Sequence, residues 1–269
     1  MKRYLLLTIL VIIFTIGFIF VFGLFSHPTT APKSEEVDPE DLVKPKNTAL
    51  EAEVNPNPAT AKDESYSKPE KTPRPIGSVP FTVQAPGAAW DDPVLQDGCE
   101  EASLLMAMAW LRSEALPGPD VVADAIHALA AFEKERFGYH EDISLSELTT
   151  VMREYFDHEN IRILESVTME DITAEIRNGN LVLAPAYGRA LGNPHFTSPG
   201  PITHMLVLIG YDPESREFVV NDPGTVRGAN YRYDETTLFD AIWAYPSGPT
   251  HPEPPDPTDR EKSVLVISR

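Results

Sequence analysis

Cys99 is the one cysteine in this 269-residue chain, and it stands in Gly98-Cys99-Glu100-Glu101-Ala102-Ser103, at the head of an apolar run with helical spacing. A thiol at a helix N-terminus feels the positive end of the backbone dipole and the unpaired N–H groups of the first turn. Both favour thiolate, the nucleophilic form. Glu100 and Glu101 suit a helix start but act on the thiol in the opposite sense, because their charge raises its pKa. Cysteine catalysis also needs a base within hydrogen-bond reach of the sulfur, and that base needs a third group to fix its ring and tautomer. His204, in His204-Met205-Leu206-Val207-Leu208-Ile209-Gly210-Tyr211-Asp212, and Asp222, in Phe218-Val219-Val220-Asn221-Asp222-Pro223, are the candidates. His204 begins one strand-like run and Asp222 follows the end of the next. In an antiparallel hairpin those two ends lie side by side, so imidazole and carboxylate can meet. Each residue alone has a plainer reading: a buried inert thiol, a strand-end histidine, a turn carboxylate before proline. Their combination is what points to thiol hydrolysis.

The elements that must position these groups follow from periodicity and stop signals. Val79–Val83 reads as a short strand, followed by a loop with Pro86, Gly87, Trp90 and Pro93. From Glu100 to about Glu114 the residues Leu104, Leu105, Met108 and Leu111 recur at helical spacing, and Pro117-Gly118-Pro119 ends the run. A second helix spans about Asp120–Arg136 with Gly138 as its stop, and Ser144-Leu145-Ser146-Glu147 caps a third, to about Phe156. Strands are expected at Ile161–Leu164, Leu181–Ala186, His204–Tyr211, Glu217–Asn221 and Ser263–Ile267, with helices at Met169–Arg177 and from Tyr233 to about Trp243. Helices come first and strands mostly later, which predicts an α+β fold.

Composition narrows the setting. The formal net charge of -19 argues against nucleic acid, since phosphate binding needs clustered Lys and Arg. A lone cysteine leaves no internal disulfide. No His-Glu-x-x-His and no paired cysteines occur, so no metal or other cofactor is expected. Met1-Lys2-Arg3 precedes an uncharged run from Tyr4 to Phe25, about the ~20 residues that cross a bilayer as a helix. It predicts a transmembrane anchor over residues 1–26, with Lys2 and Arg3 cytoplasmic and the rest of the chain outside; a cleaved signal peptide is the competing reading. Residues 27–77, rich in Pro, Glu, Lys, Thr and Ala, read as a disordered tether. The globular domain is expected over 78–269.

The order Gln, Cys at a helix start, His-x-x-x-x-x-Gly-Tyr-Asp and Asn-Asp-Pro resembles the double-glycine (bacteriocin-processing) peptidase-like family, a branch of the papain-fold cysteine peptidases. The resemblance runs from about Val79 to Trp243 and is most specific in the His204–Asp222 block and in Gln96-Asp97-Gly98-Cys99-Glu100-Glu101-Ala102-Ser103. It implies a papain-like α+β fold, with N-terminal helices on a mostly antiparallel sheet. It implies Cys99 as nucleophile, His204 as general base and acid, Asp222 orienting His204, and a glutamine that shares the oxyanion with the Cys99 backbone N–H. The family places that glutamine about six residues before the cysteine, where this chain has Pro93. Gln84, after the first expected strand, is preferred; Gln96 is the alternative. Trp90, Gln96 and His195 are candidate substrate contacts beside the cleft. His127, His140 and His158 have no motif around them. The expected function is membrane-anchored, extracytoplasmic hydrolysis of a peptide or protein substrate. A cell-wall peptide amidase and a non-catalytic peptide-binding domain on the same fold are the alternatives.

Overall fold

The computed structural model describes residues 76, 78–250 and 253–269. The expected anchor and nearly all of the expected tether lie outside them. Among the described residues no helix is long and apolar enough to cross a membrane.

In chain order the elements are α1 (Pro93–Gln96), α2 (Cys99–Arg112), α3 (Pro119–Phe137), α4 (Leu145–Glu154), β1 (Ile161–Leu164), α5 (Met169–Arg177), β2 (Leu181–Tyr187), β3 (Thr203–Asp212), β4 (Glu217–Asn221), β5 (Tyr231–Asp234), α6 (Glu235–Ala241) and β6 (Val264–Ile267). The strands form one antiparallel sheet in the order β1-β6-β2-β3-β4-β5. β6, last in sequence, lies between β1 and β2, which explains why Val264-Leu265-Val266-Ile267 is apolar without alternation: all four side chains are buried.

α2 is the central helix. Every residue from Cys99 to Trp110 is buried, as expected of a helix enclosed on all sides. It packs on β3, so the start of α2 and the start of β3 are fixed by one core. Gly98 makes this close packing possible: a Cβ there would sit 3.0 Å from Ile126 Cγ2 of α3 and 3.3 Å from the Val94 carbonyl of α1. α2 ends at Ser113, whose left-handed φ of 56° turns the chain before Pro117 is reached. The capping box of Ser144 and Glu147 starts α4, and Thr168 with Asp171 does the same for α5.

Three readings of the sequence need correction. Val79–Val83 forms no strand. Pro80 has no N–H to give a ladder, and the carbonyls of Val79 and Pro80 accept from the Asn221 side chain instead. Tyr231–Asp234 forms the edge strand β5, where only a helix start is legible in the sequence. Ile76, assigned to the tether by composition, is buried in the domain: its N–H donates to Ile209 O and its carbonyl accepts from Trp110 Nε1. The Ile209 carbonyl is available because the β3–β4 register slips between Leu208 and Gly210.

Candidate active site

β3 and β4 pair with Val207 opposite Asn221, which brings the beginning of β3 beside the turn after β4. Nε2 of His204 lies 2.8 Å from Oδ1 of Asp222. Both side chains are buried. Asp222 accepts three further hydrogen bonds: from Gly224 N at 2.9 Å on Oδ1, and from Tyr233 Oη at 2.7 Å and Asn193 Nδ2 at 3.1 Å on Oδ2. Burial acts to raise its pKa, but the His204 charge and the bonds from His204, Tyr233 and Gly224 outweigh it and hold the carboxyl below its ordinary value. An ionised Asp222 selects the imidazole with hydrogen on Nε2, leaving Nδ1 as the free base. Phe196 packs edge-on to the ring at 5.3 Å. Gly224 closes in on both rings: a Cβ there would lie 2.9 Å from His204 Cε1 and 3.0 Å from Phe196 Cε1.

Cys99 is the first residue of α2, so its N–H belongs to the turn that has no carbonyl partner inside the helix. The thiol does not bond to His204. Sγ–H donates to Glu100 Oε2 at 2.9 Å, and Glu100 Oε1 accepts from Tyr245 Oη at 2.6 Å. Burial pushes the Cys99 pKa well above its ordinary value, and the adjacent Glu100 carboxyl pushes it further. The helix N-terminus therefore does not prevail in this geometry, contrary to the expectation from sequence: the surroundings of the sulfur favour thiol over thiolate. Glu100 itself is raised to about 7, first by burial and then by the charge of Asp142.

Cys99 and His204 line one cavity of about 550 Å³, with Gln84, Trp90, Gln96 and His195 also in its wall. That volume is within the usual ~300–1,000 Å³ of ligand pockets. Gln84 is buried; its N–H donates to Pro223 O at 2.9 Å and its Nε2 donates to Gln96 O. The turn that carries Asp222 thus fixes the Gln84 backbone, and the Gln96 carbonyl fixes its side-chain amide beside the cavity; the Gln96 side chain is exposed. Trp90 is half-buried, and His195 is exposed, edge-on to Tyr231 at 6.1 Å. His127 is far from this chemistry: it pairs with Asp92, the N-cap of α1, at 3.0 Å and ties α1 to α3. Among the described residues no cluster of three or more His, Cys, Asp or Glu could hold a metal.

Sequence reasoning missed Asn193 and Tyr233 as partners of Asp222, and Tyr245 as the partner of Glu100. Asn193 lies in the loop after β2 and Tyr233 on the unforeseen β5, so only the fold brings them to the carboxylate. A signal was present for Tyr233: Tyr231-Arg232-Tyr233-Asp234 alternates, although over only four residues.

Comparison with known proteins bears on the same stretch of chain. No curated protein matches it. A crystal structure described as that of a C39-like peptidase from Bacillus anthracis aligns at 16% identity and a TM-score of 0.46, over 74% of this chain and 98% of the other. The model of the Peptidase_C39 like family matches residues 76–250, from Ile76 to beyond α6. That span is well over half of the protein and holds both halves of the cavity wall, so the chain belongs to the Peptidase_C39 like family.

Proposed function

We propose that the protein is a cysteine peptidase that cleaves peptide bonds with Cys99, His204 and Asp222. The observation that carries the reading is that His204, anchored through Nε2 to Asp222, shares one cavity with the Cys99 thiol. Nδ1 takes the thiol proton once the S–H is directed from Glu100 toward the cavity. Catalytic hydrogen bonds are often incomplete without substrate. The thiolate adds to the peptide carbonyl, and the oxyanion is received by the Cys99 N–H and the Gln84 amide, which leaves Gln96 O to do so. The tetrahedral species collapses as His204 protonates the departing amine, giving a thioester. Water, deprotonated by Nδ1, then releases the carboxylic acid and restores the thiol. The uncharged run Tyr4–Phe25 supports a further part of the proposal, that the domain is tethered outside a membrane.

The test uses a thiol-directed activity probe and a peptide-library digest. Cys99→Ala should abolish both labelling and cleavage, and His204→Ala should lower cleavage at least ~1,000-fold. Labelling of His204→Ala at the wild-type rate would refute the pairing. Labelling without cleavage of any peptide would leave a peptide-binding domain with an idle thiol.

A further inference from the structure

Outside the roles just assigned stand, among others, the Glu101–Glu133 carboxyls, the small cavity beside Tyr245, and Glu100. The third carries furthest, because it touches the nucleophile. We propose that Glu100 is a positioning residue that holds the Cys99 thiol in a protonated resting pose and yields it to His204 only when its own carboxyl is neutral. The proposal rests on the cysteine-peptidase reading.

The geometry is specific. Both oxygens of Glu100 are occupied, one by the Cys99 thiol and the other by the Tyr245 hydroxyl. Glu100 is 1% exposed and Cys99 6%, so the carboxyl has no route to solvent away from the sulfur. The charged group acting most strongly on it is another acid, Asp142. Asp142, from the loop before α4, and Tyr245, from the segment after α6, act on Glu100 directly, and Glu101 of α2 and Glu133 of α3 lie behind it. Asp142 and Glu101 also act on Cys99. The cavity that Cys99 lines also carries Asp97, Asp142, Arg189, His195 and His204.

In this setting the charge state of Glu100 decides the sense of one hydrogen bond. As a carboxylate it can only accept, so it keeps the proton on sulfur and repels a thiolate. As a neutral acid its O–H can donate to sulfur, and the same contact then stabilises the thiolate. The thiol proton goes to His204 Nδ1, and the proton on Glu100 comes from solvent through the cavity. A carboxyl raised to about 7 changes between these states near neutrality. Nucleophile formation is thereby favoured on the acid side of the Glu100 titration.

The experiment is the rate of Cys99 alkylation by iodoacetamide across about pH 5 to 9, in the full chain, for wild type, Glu100→Gln and Tyr245→Phe. The amide of Glu100→Gln keeps an acceptor for Tyr245 and presents an N–H to sulfur without charge. This variant should raise the rate near pH 7.5 by about tenfold or more, corresponding to a thiol pKa lowered by at least about one unit. Tyr245→Phe removes the donor that favours the Glu100 carboxylate, and should raise the same rate by a smaller factor. Either variant alone suffices if the other does not fold. Profiles that coincide with wild type overturn the proposal. Alkylation needs no substrate, so the two readings fail separately: shifted profiles without peptide cleavage remove the peptidase and keep the Glu100 contact, and cleavage with unshifted profiles removes only the latter.

Discussion

Two sets of buried carboxyls, one bonded to His204 and the other near Glu100, meet the question of their protons in opposite ways. Asp222 is completely buried yet ionised, because four donors converge on its two oxygens. Glu101 and Glu133, on α2 and α3, are equally buried, but their four oxygens find no donor elsewhere. Burial raises both, Glu133 to about 8, with Glu100 adding its charge. Such a pair persists only by sharing a proton between its members. The difference teaches that depth does not set the protonation of these acids; the number of donors does. The two regions meet at the cavity, where His204 is fixed by the well-satisfied acid and Cys99 touches Glu100, whose donors are the thiol and one tyrosine.

The comparison breaks most visibly at Asp222. Asp222→Ala leaves His204 Nε2, Tyr233 Oη, Asn193 Nδ2 and Gly224 N without their common acceptor. Removing one side of a buried charged cluster costs about 3–5 kcal/mol, and denaturant unfolding should show a loss of that size. If the peptidase reading holds, cleavage should fall by about 10⁴-fold through loss of the imidazole tautomer. A variant as stable as wild type would mean that the four donors are satisfied without the carboxylate.

At the proton-sharing pair the expected effect is a change in pH dependence. A carboxyl raised in the fold binds a proton that the unfolded chain releases above its ordinary pKa of 4.5. Its stabilisation is full below that value and is lost as pH rises through about 8, by about 1.4 kcal/mol per pH unit per proton. Glu133→Gln supplies a permanent N–H to Glu101 in place of the shared proton. Urea unfolding at pH 4.5, 6 and 8 should show the variant close to wild type in acid and progressively more stable toward pH 8. Parallel curves across that range would show that the pair carries no shared proton.

Much of this arrangement was legible from local chemistry, and the rest was not, for physical reasons. The helix over Cys99–Arg112 and its glycine entry follow from spacing and from one residue type, and so does the hairpin that places His204 near Asp222. The slot of β6 inside the sheet does not, because a four-residue apolar strand carries no record of its neighbours. Nor does the enclosure of Glu100 and Glu101: acids in a first turn are what an exposed helix start also favours. Asn193, Tyr233 and Tyr245 reach their carboxyls only through tertiary packing, between residues 29, 11 and 145 positions apart. The donor count that separates the two regions is therefore a property of the fold, not of any motif.

The smallest expected effect tests that count directly. Tyr233→Phe removes one donor from Asp222 Oδ2 while leaving Asn193 Nδ2 on the same atom and His204 and Gly224 on the other. The ring stays, so packing against Tyr231 is kept. A hydrogen bond to a charged group contributes about 1.5–3 kcal/mol, and with three donors remaining the loss should fall at the low end. The sign of the pH effect follows from the depressed pKa of Asp222. Its stabilisation is present above the unfolded value of 3.8 and is lost as pH falls through the lower folded value. Losing a donor brings the folded value up toward 3.8, so the wild type should outlast the variant in an acid titration, and the two should differ by a constant amount near neutrality. Measured by fluorescence-monitored unfolding at stepped pH, a constant gap that persists unchanged below pH 3 would show that the Tyr233 hydroxyl supports the fold through uncharged hydrogen bonding, such as the bond it accepts from Asn193 Nδ2, and adds nothing to the charge on Asp222.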